Sequence, residues 1–166
     1  MSETAKHSSE LEQSLLAAVL TDSSILDRVN EITTGVQFVD GALGKAFDLI
    51  ADRHHARLSL DITVLVPEFR KAGFLEALGG TAGLARLTKT VPTASHSIYH
   101  AKEINRLFRL RQLQAMVSDI ESECGSIDAD PDQLLARIDA KSRDLCGSAD
   151  DGAATLATMM MDLADQ

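Results

Sequence analysis

The stretch Gly79 to Leu113, GGTAGLARLTKTVPTASHSIYHAKEINRLFRLRQL, decides how this chain folds. Pro92 has no backbone N–H and biases Val91 away from helical angles, so a helix over Gly83–Thr88 has to stop before it. Thr93 or Ser95 can then cap the next helix. From Ile98 onward the apolar residues Ala101, Ile104, Leu107, Phe108, Leu110, Leu113, Val117 and Ile120 hold a helical period for more than twenty residues. Within that run Leu110, Leu113, Val117, Ile120 and Cys124 alternate steps of three and four, the spacing of a helix that packs lengthwise on another helix.

Upstream, short segments each carry one apolar side. Residues 1–8 read as a loose arm. Ser9 followed by Glu12 predicts a capping box, opening a helix with Leu11, Leu15, Leu16, Val19 and Leu20 on its inner side. Asp22 to Ser24 breaks the pattern and recaps a second helix through Ile25, Leu26 and Val29. A loop at Thr33, Thr34 and Gly35 precedes a third helix near Asp40–His54. There Gly41 and Gly44 cost roughly 1 kcal/mol each unless close packing compensates. Asp61 is placed to cap a helix over Ile62–Ala72, with Val64, Leu65 and Phe69 inward and Gly73 as its stop; Pro67 either kinks it or shifts its start. Pieces this short can bury their apolar sides only against one another, which predicts a helical head over residues 9–91.

Downstream, Gly125–Asp130 reads as a turn, and Pro131 fits the first position of a return helix capped by Asp130. Leu134, Leu135, Ile138 and Leu145 form its apolar side, with Arg137, Lys141 and Arg143 facing outward. The two arms make an antiparallel hairpin over residues 92–146. Its apolar positions Leu110, Leu113, Val117, Ile120, Leu134, Leu135 and Ile138 serve self-association, an intramolecular core, or both on different faces. Residues 147–154, GSADDGAA, have linker composition, and the segment to residue 166 begins a short helix with Leu156, Met159, Met160 and Leu163 on one side. Flexible Met side chains suit docking on a neighbouring chain.

Composition supports an all-α protein: aromatics are 4%, Trp is absent, and 45% of residues are apolar. Residues 1–118 hold 13 acidic and 13 basic side chains, so the whole net charge of −9 sits in 119–166, with 12 acidic and 3 basic. An acidic chain makes a poor independent nucleic-acid binder and points to protein partners. The local exception is Lys102, Arg106, Arg109 and Arg111. It reads first as a solvated face pairing with the acidic return segment and second as a strip for single-stranded nucleic acid. Two cysteines cannot define a disulfide framework. A return helix of about fifteen residues would hold Cys124 and Cys146 ~22 Å apart, beyond bridging distance. With a polar start, MSETAKHSSE, and only short apolar runs, a cytoplasmic protein with no membrane span is expected.

Catalytic chemistry is missing. No GxxxxGK[ST] loop is present to wrap a nucleotide phosphate. The GxxG at Gly80–Gly83 has no flanking strands and reads as helix punctuation rather than an RNA clamp. His96 and His100 are four apart, but Ser97 stands where an HExxH motif has Glu, and no third ligand is evident. His54 and His55 point to different sides of a helix end. No serine sits in a G-x-S-x-G setting, and neither cysteine has a recognisable His partner. No catalytic, cofactor or metal residue is expected in this chain.

The order EQSLLAAVLTDSSILDRV, AFDLI, then LSLDITVLVPEFRKAGFLEALGGTAGLARLTKTVPTASHSIYHAKEINRLFRLRQL resembles the N-terminal domain of DnaB-type replicative DNA helicases. Its most particular part runs from Asp61 through Gly73, Leu75 and Leu78-Gly79-Gly80 to Val91-Pro92-Thr93-Ala94, Tyr99 and the Arg-rich helix. Phe38-Val39 stands where the family usually has Phe-Tyr. The resemblance covers about Leu11 to Cys146. It implies a helical head and a hairpin through which copies join as dimers and then a trimer of dimers. That collar would sit on a hexameric ring in a bacterial cytoplasm. It further implies docking of a DnaG-type primase and of a helicase loader, and a linker helix that docks on a neighbouring subunit. ATP and Mg, and contact with DNA, would belong to a motor domain outside this chain. The rival expectation is a stand-alone helical interaction adaptor with no motor attached.

Overall fold

The computed structural model describes residues 3–89, 96–126 and 130–143, and all regular structure among them is helical. The chain divides into two compact units, Met1–Phe108 and Arg109–Gln166. The sequence expectation drew its line at residue 91; the division falls later because the first turns of the long helix bury Ala101, Ile104 and Leu107 in the head's core.

The first unit opens with α1 (Glu3–Thr21), followed by a 3-10 turn at Ser23–Ile25 and α2 (Leu26–Asn30). Then come a second 3-10 turn at Gly35–Gln37, α3 (Gly41–His55), α4 (Ile62–Lys71) and α5 (Gly80–Lys89). α6 (Ser97–Cys124) begins here and continues into the second unit. Leu15, Leu16 and Val19 of α1, Phe47 and Ile50 of α3, Leu65 and Phe69 of α4, Leu84 of α5 and Ile104 of α6 are fully buried in one core. Each such side chain contributes about 1.5–3 kcal/mol.

Asp22 and Asp61 cap where the sequence placed them, and Asp40, expected as the first residue of its helix, caps α3. The Asp22 carboxylate accepts from Ser24 N–H at 3.0 Å, Asp40 from Ala42 N–H at 2.8 Å, and Asp61 from Thr63 N–H at 2.8 Å. α4 starts at Ile62 and runs through Pro67. It ends in a Schellman turn: Gly73, at φ +82°, donates to the Arg70 carbonyl and Phe74 to that of Phe69. The Phe69 and Phe74 rings close the turn with centroids 5.1 Å apart. α3 ends the same way, with Arg57 N–H on the His54 carbonyl and Leu58 N–H on Arg53, but the left-handed position is Arg57 at φ +55°. A side chain is strained there, so Arg57→Gly is expected to raise stability by about 1 kcal/mol, read as a higher urea midpoint at unchanged slope.

Several expectations are corrected. α1 begins at Glu3 rather than after a loose arm and a Ser9 cap. Glu12 is fully buried, and its carboxylate accepts from Val39 N–H at 2.7 Å and Asp40 N–H at 3.0 Å, so it ties the start of α3 to α1. The loop at Thr33–Gly35 runs into a 3-10 turn with a capping box between Thr34 and Gln37. α5 runs over Gly80–Lys89, one residue past the expected end at Thr88. The expected caps Thr93 and Ser95 lie outside the described residues.

Candidate assembly surface on the hairpin

The second unit is built by the far half of α6 and a return arm, helical over 131–143, whose N-terminus Asp130 caps through Asp132 N–H at 3.0 Å. Two ion pairs stitch the arms. Arg137 Nη2 reaches Glu123 at 2.6 Å and Lys141 Nζ reaches Asp119 at 3.3 Å, a pairing that fixes the arms as antiparallel. Between them Met116 and Ile120 of α6 face Ile138 of the return arm. Arg137 and Lys141 therefore face the opposite arm rather than solvent alone, contrary to the sequence expectation, while Arg143 pairs with Asp139 one turn away.

The seven hairpin residues singled out in the sequence separate into two sets. Ile120, Leu134 and Ile138 are half-buried. Leu110 and Leu113 are each 43% exposed, Val117 59% and Leu135 62%. Met116, which the sequence reading passed over, is half-buried with the inner set. Its signal was available: Met116 lies four residues before Ile120 and seven before Glu123, so all three share one side of the helix. The outer set presents an apolar strip along α6, with Leu135 on the return arm. The proposed linker-docking residues Leu156, Met159, Met160 and Leu163 lie outside the described residues.

Within the basic stretch, Arg106 pairs on its own helix rather than with the return segment. Arg106 is held by Glu103 one turn before it, with Nε 3.0 Å from both carboxylate oxygens. That pairing interrupts the cationic face between Lys102 and Arg109, which weakens the case for a phosphate-tracking strip.

Elsewhere in the head, the Gly79–Gly83 turn lines an open cleft of about 490 Å³ with Gln13, Asp40, Leu43 and Arg86. Gly83 is needed there for packing, since a Cβ would collide with the Leu78 carbonyl. His96 and His100 stack with ring centroids 6.4 Å apart, and His54 lies 3.2 Å from Asp27. Among the described residues no three His, Cys, Asp or Glu side chains converge to hold a metal. Nor is any described helix long and apolar enough to cross a membrane.

Burial first, and then the neighbouring His96, push the His100 imidazole below its ordinary pKa. The fold thus favours neutral His100. The stability it contributes is whole above the unfolded value of about 6.5 and is lost as pH falls through that value towards the folded one. Thermal unfolding is expected to show a lower midpoint at pH 5 than at pH 7.5, and His100→Gln is expected to shrink that difference.

The chain matches the family model described as DnaB-like helicase N terminal domain over residues 4–106. It is 30% identical over 132 residues to the replicative DNA helicase DnaB of Rhodothermus marinus, which covers 80% of this chain and 14% of that protein. It is 30% identical over 135 residues to the replicative DNA helicase DnaB of Geobacillus stearothermophilus, covering 80% of this chain and 29% of that one. The chain therefore spans less than a third of these relatives' length. Its fold is similar to the crystal structure of the N-terminal domain of DnaB helicase from Mycobacterium tuberculosis, with a TM-score of 0.71 and 26% identity over 81% of this chain and 94% of that one.

Proposed function

The chain belongs to the DnaB-like helicase N-terminal domain family, and from that premise we propose that it is the non-catalytic assembly domain of a replicative DNA helicase. In this reading copies associate through the hairpin, as dimers and then a trimer of dimers, and the collar so formed docks a DnaG-type primase and a helicase loader in the bacterial cytoplasm. Unwinding, with its ATP, Mg and DNA contacts, is the work of a motor domain that this chain does not contain. The tail residues Leu156, Met159, Met160 and Leu163 serve to dock the linker on a neighbouring subunit.

The observation that supports the reading is the outer strip of the hairpin. Leu110, Leu113 and Val117 stand exposed on one helix, while the ion pairs Asp119–Lys141 and Glu123–Arg137 occupy the inner side and hold the arms together. Met116, Ile120 and Ile138 meet between the arms, yet Leu110, Leu113 and Val117 stay exposed on the same helix. An apolar strip left outside the seam suits a surface made to be covered by another protein.

The docking half is tested by titrating a DnaG-type primase into the purified chain and measuring heat. Saturable binding at micromolar concentrations is expected. No heat at tens of micromolar primase would remove the primase from the reading.

A further inference from the structure

The head and the hairpin differ in one respect that bears on how the assembly forms. Among the described residues of the first unit, twenty apolar side chains make a continuous buried core, ending at Leu107. In the second, no described residue from Arg109 to residue 143 is buried; Met116, Ile120, Leu134 and Ile138 are only half-covered. The arms contribute exposed ion pairs, which add little individually. A single helix is marginal in water without tertiary packing, and none of the described residues of the return arm is buried. The far half of α6 at least continues a helix whose first turns are held by the buried Ala101, Ile104 and Leu107. Among the described residues of its unit the return arm has no such anchor.

We infer that the hairpin, and the return arm above all, folds fully only when a second copy of this chain covers Leu110, Leu113, Val117 and Leu135. The inference rests on the self-association proposed above and adds to it that association and hairpin folding are one equilibrium, so that subunit concentration decides whether the arms are ordered. A second copy is the occupant the chemistry favours. The strip's centre, Leu110, Leu113 and Val117, is uncharged, so the same strip can meet its own copy without opposing like charges. The missing core of each hairpin is supplied by the other.

The test is amide hydrogen exchange of the whole chain, followed by mass spectrometry at subunit concentrations a hundredfold apart, with sedimentation recorded on the same samples. For an arm folded only in a dimer, the unfolded fraction falls as the square root of concentration. Exchange in 131–143 should then slow by about tenfold over that range while amides in α1 and α3 stay unchanged. The doubly substituted Leu113→Asp, Val117→Asp chain should lose protection in 131–143 at every concentration and keep it in α1 and α3. Dimers that form with concentration-independent protection of the arm would overturn the coupling and leave self-association standing. A chain that sediments as a monomer throughout would overturn both. A monomeric double variant whose arm stays as protected as the parent's would also overturn the coupling.

Discussion

Replacing Leu113 and Val117 together by Asp converts the associated chain to a monomer with an intact head. Both side chains are exposed in the single chain, at 43% and 59%, so their replacement costs the isolated fold little. In an assembly that covers them, the change removes two apolar contacts worth about 1.5–3 kcal/mol each and leaves two carboxylates without partners at the interface. Association is expected to weaken by at least about a thousandfold, read by sedimentation velocity at matched concentrations. An unchanged sedimentation coefficient would show that the strip is not the contact. Circular dichroism that collapses across the whole chain would instead place these residues in a core, which their exposure argues against.

The second large effect concerns two glycines that look alike in the sequence. Gly41 and Gly44 both sit in the first turns of α3. A Cβ on Gly41 meets nothing within 4 Å, whereas one on Gly44 collides with the carbonyl of Gly35. That carbonyl cannot retreat, because Gly35 N–H is held by the Asp48 carboxylate at 2.6 Å and a Cβ on Gly35 would in turn strike the Gly44 carbonyl. Gly44→Ala is expected to cost about 3 kcal/mol and lower the melting midpoint by roughly 10 °C. Gly41→Ala should be neutral or stabilising by up to about 1 kcal/mol. Equal effects at the two positions, measured by calorimetry, would contradict the close approach of the 3-10 turn to α3.

These positions also show what the sequence could disclose. Caps and stops at Asp22, Asp61, Gly73 and Asp130 are written within four residues of the backbone groups they satisfy, and local chemistry finds them. Glu12 reads as half of a local capping box with Ser9, yet its carboxylate serves N–H groups at Val39 and Asp40, on another element altogether. No periodicity reports a contact of that kind. The Gly35–Gly44 approach has the same character, visible beforehand only as two helix-weakening glycines that asked for close packing.

At the hairpin, spacing located the apolar stripe of α6 but could not tell its inner residues from its outer ones. Ile120 and Val117 are neighbours on that stripe, and which of them faces the return arm depends on the register that the Asp119–Lys141 and Glu123–Arg137 pairs fix. Arg137 and Lys141 read as outward-facing for the same reason: the acids they meet lie on the other arm. The family was legible because the order of turns and caps from Asp61 to Tyr99 is particular, and the helical structure agrees with it.

The central claim is that the outer strip of the hairpin is covered by another copy of the chain. Light scattering of the purified chain across a concentration series tests it most directly. A mass rising from 17.9 kDa to at least twice that value is the result expected. A mass that stays at 17.9 kDa up to hundreds of micromolar would contradict the claim.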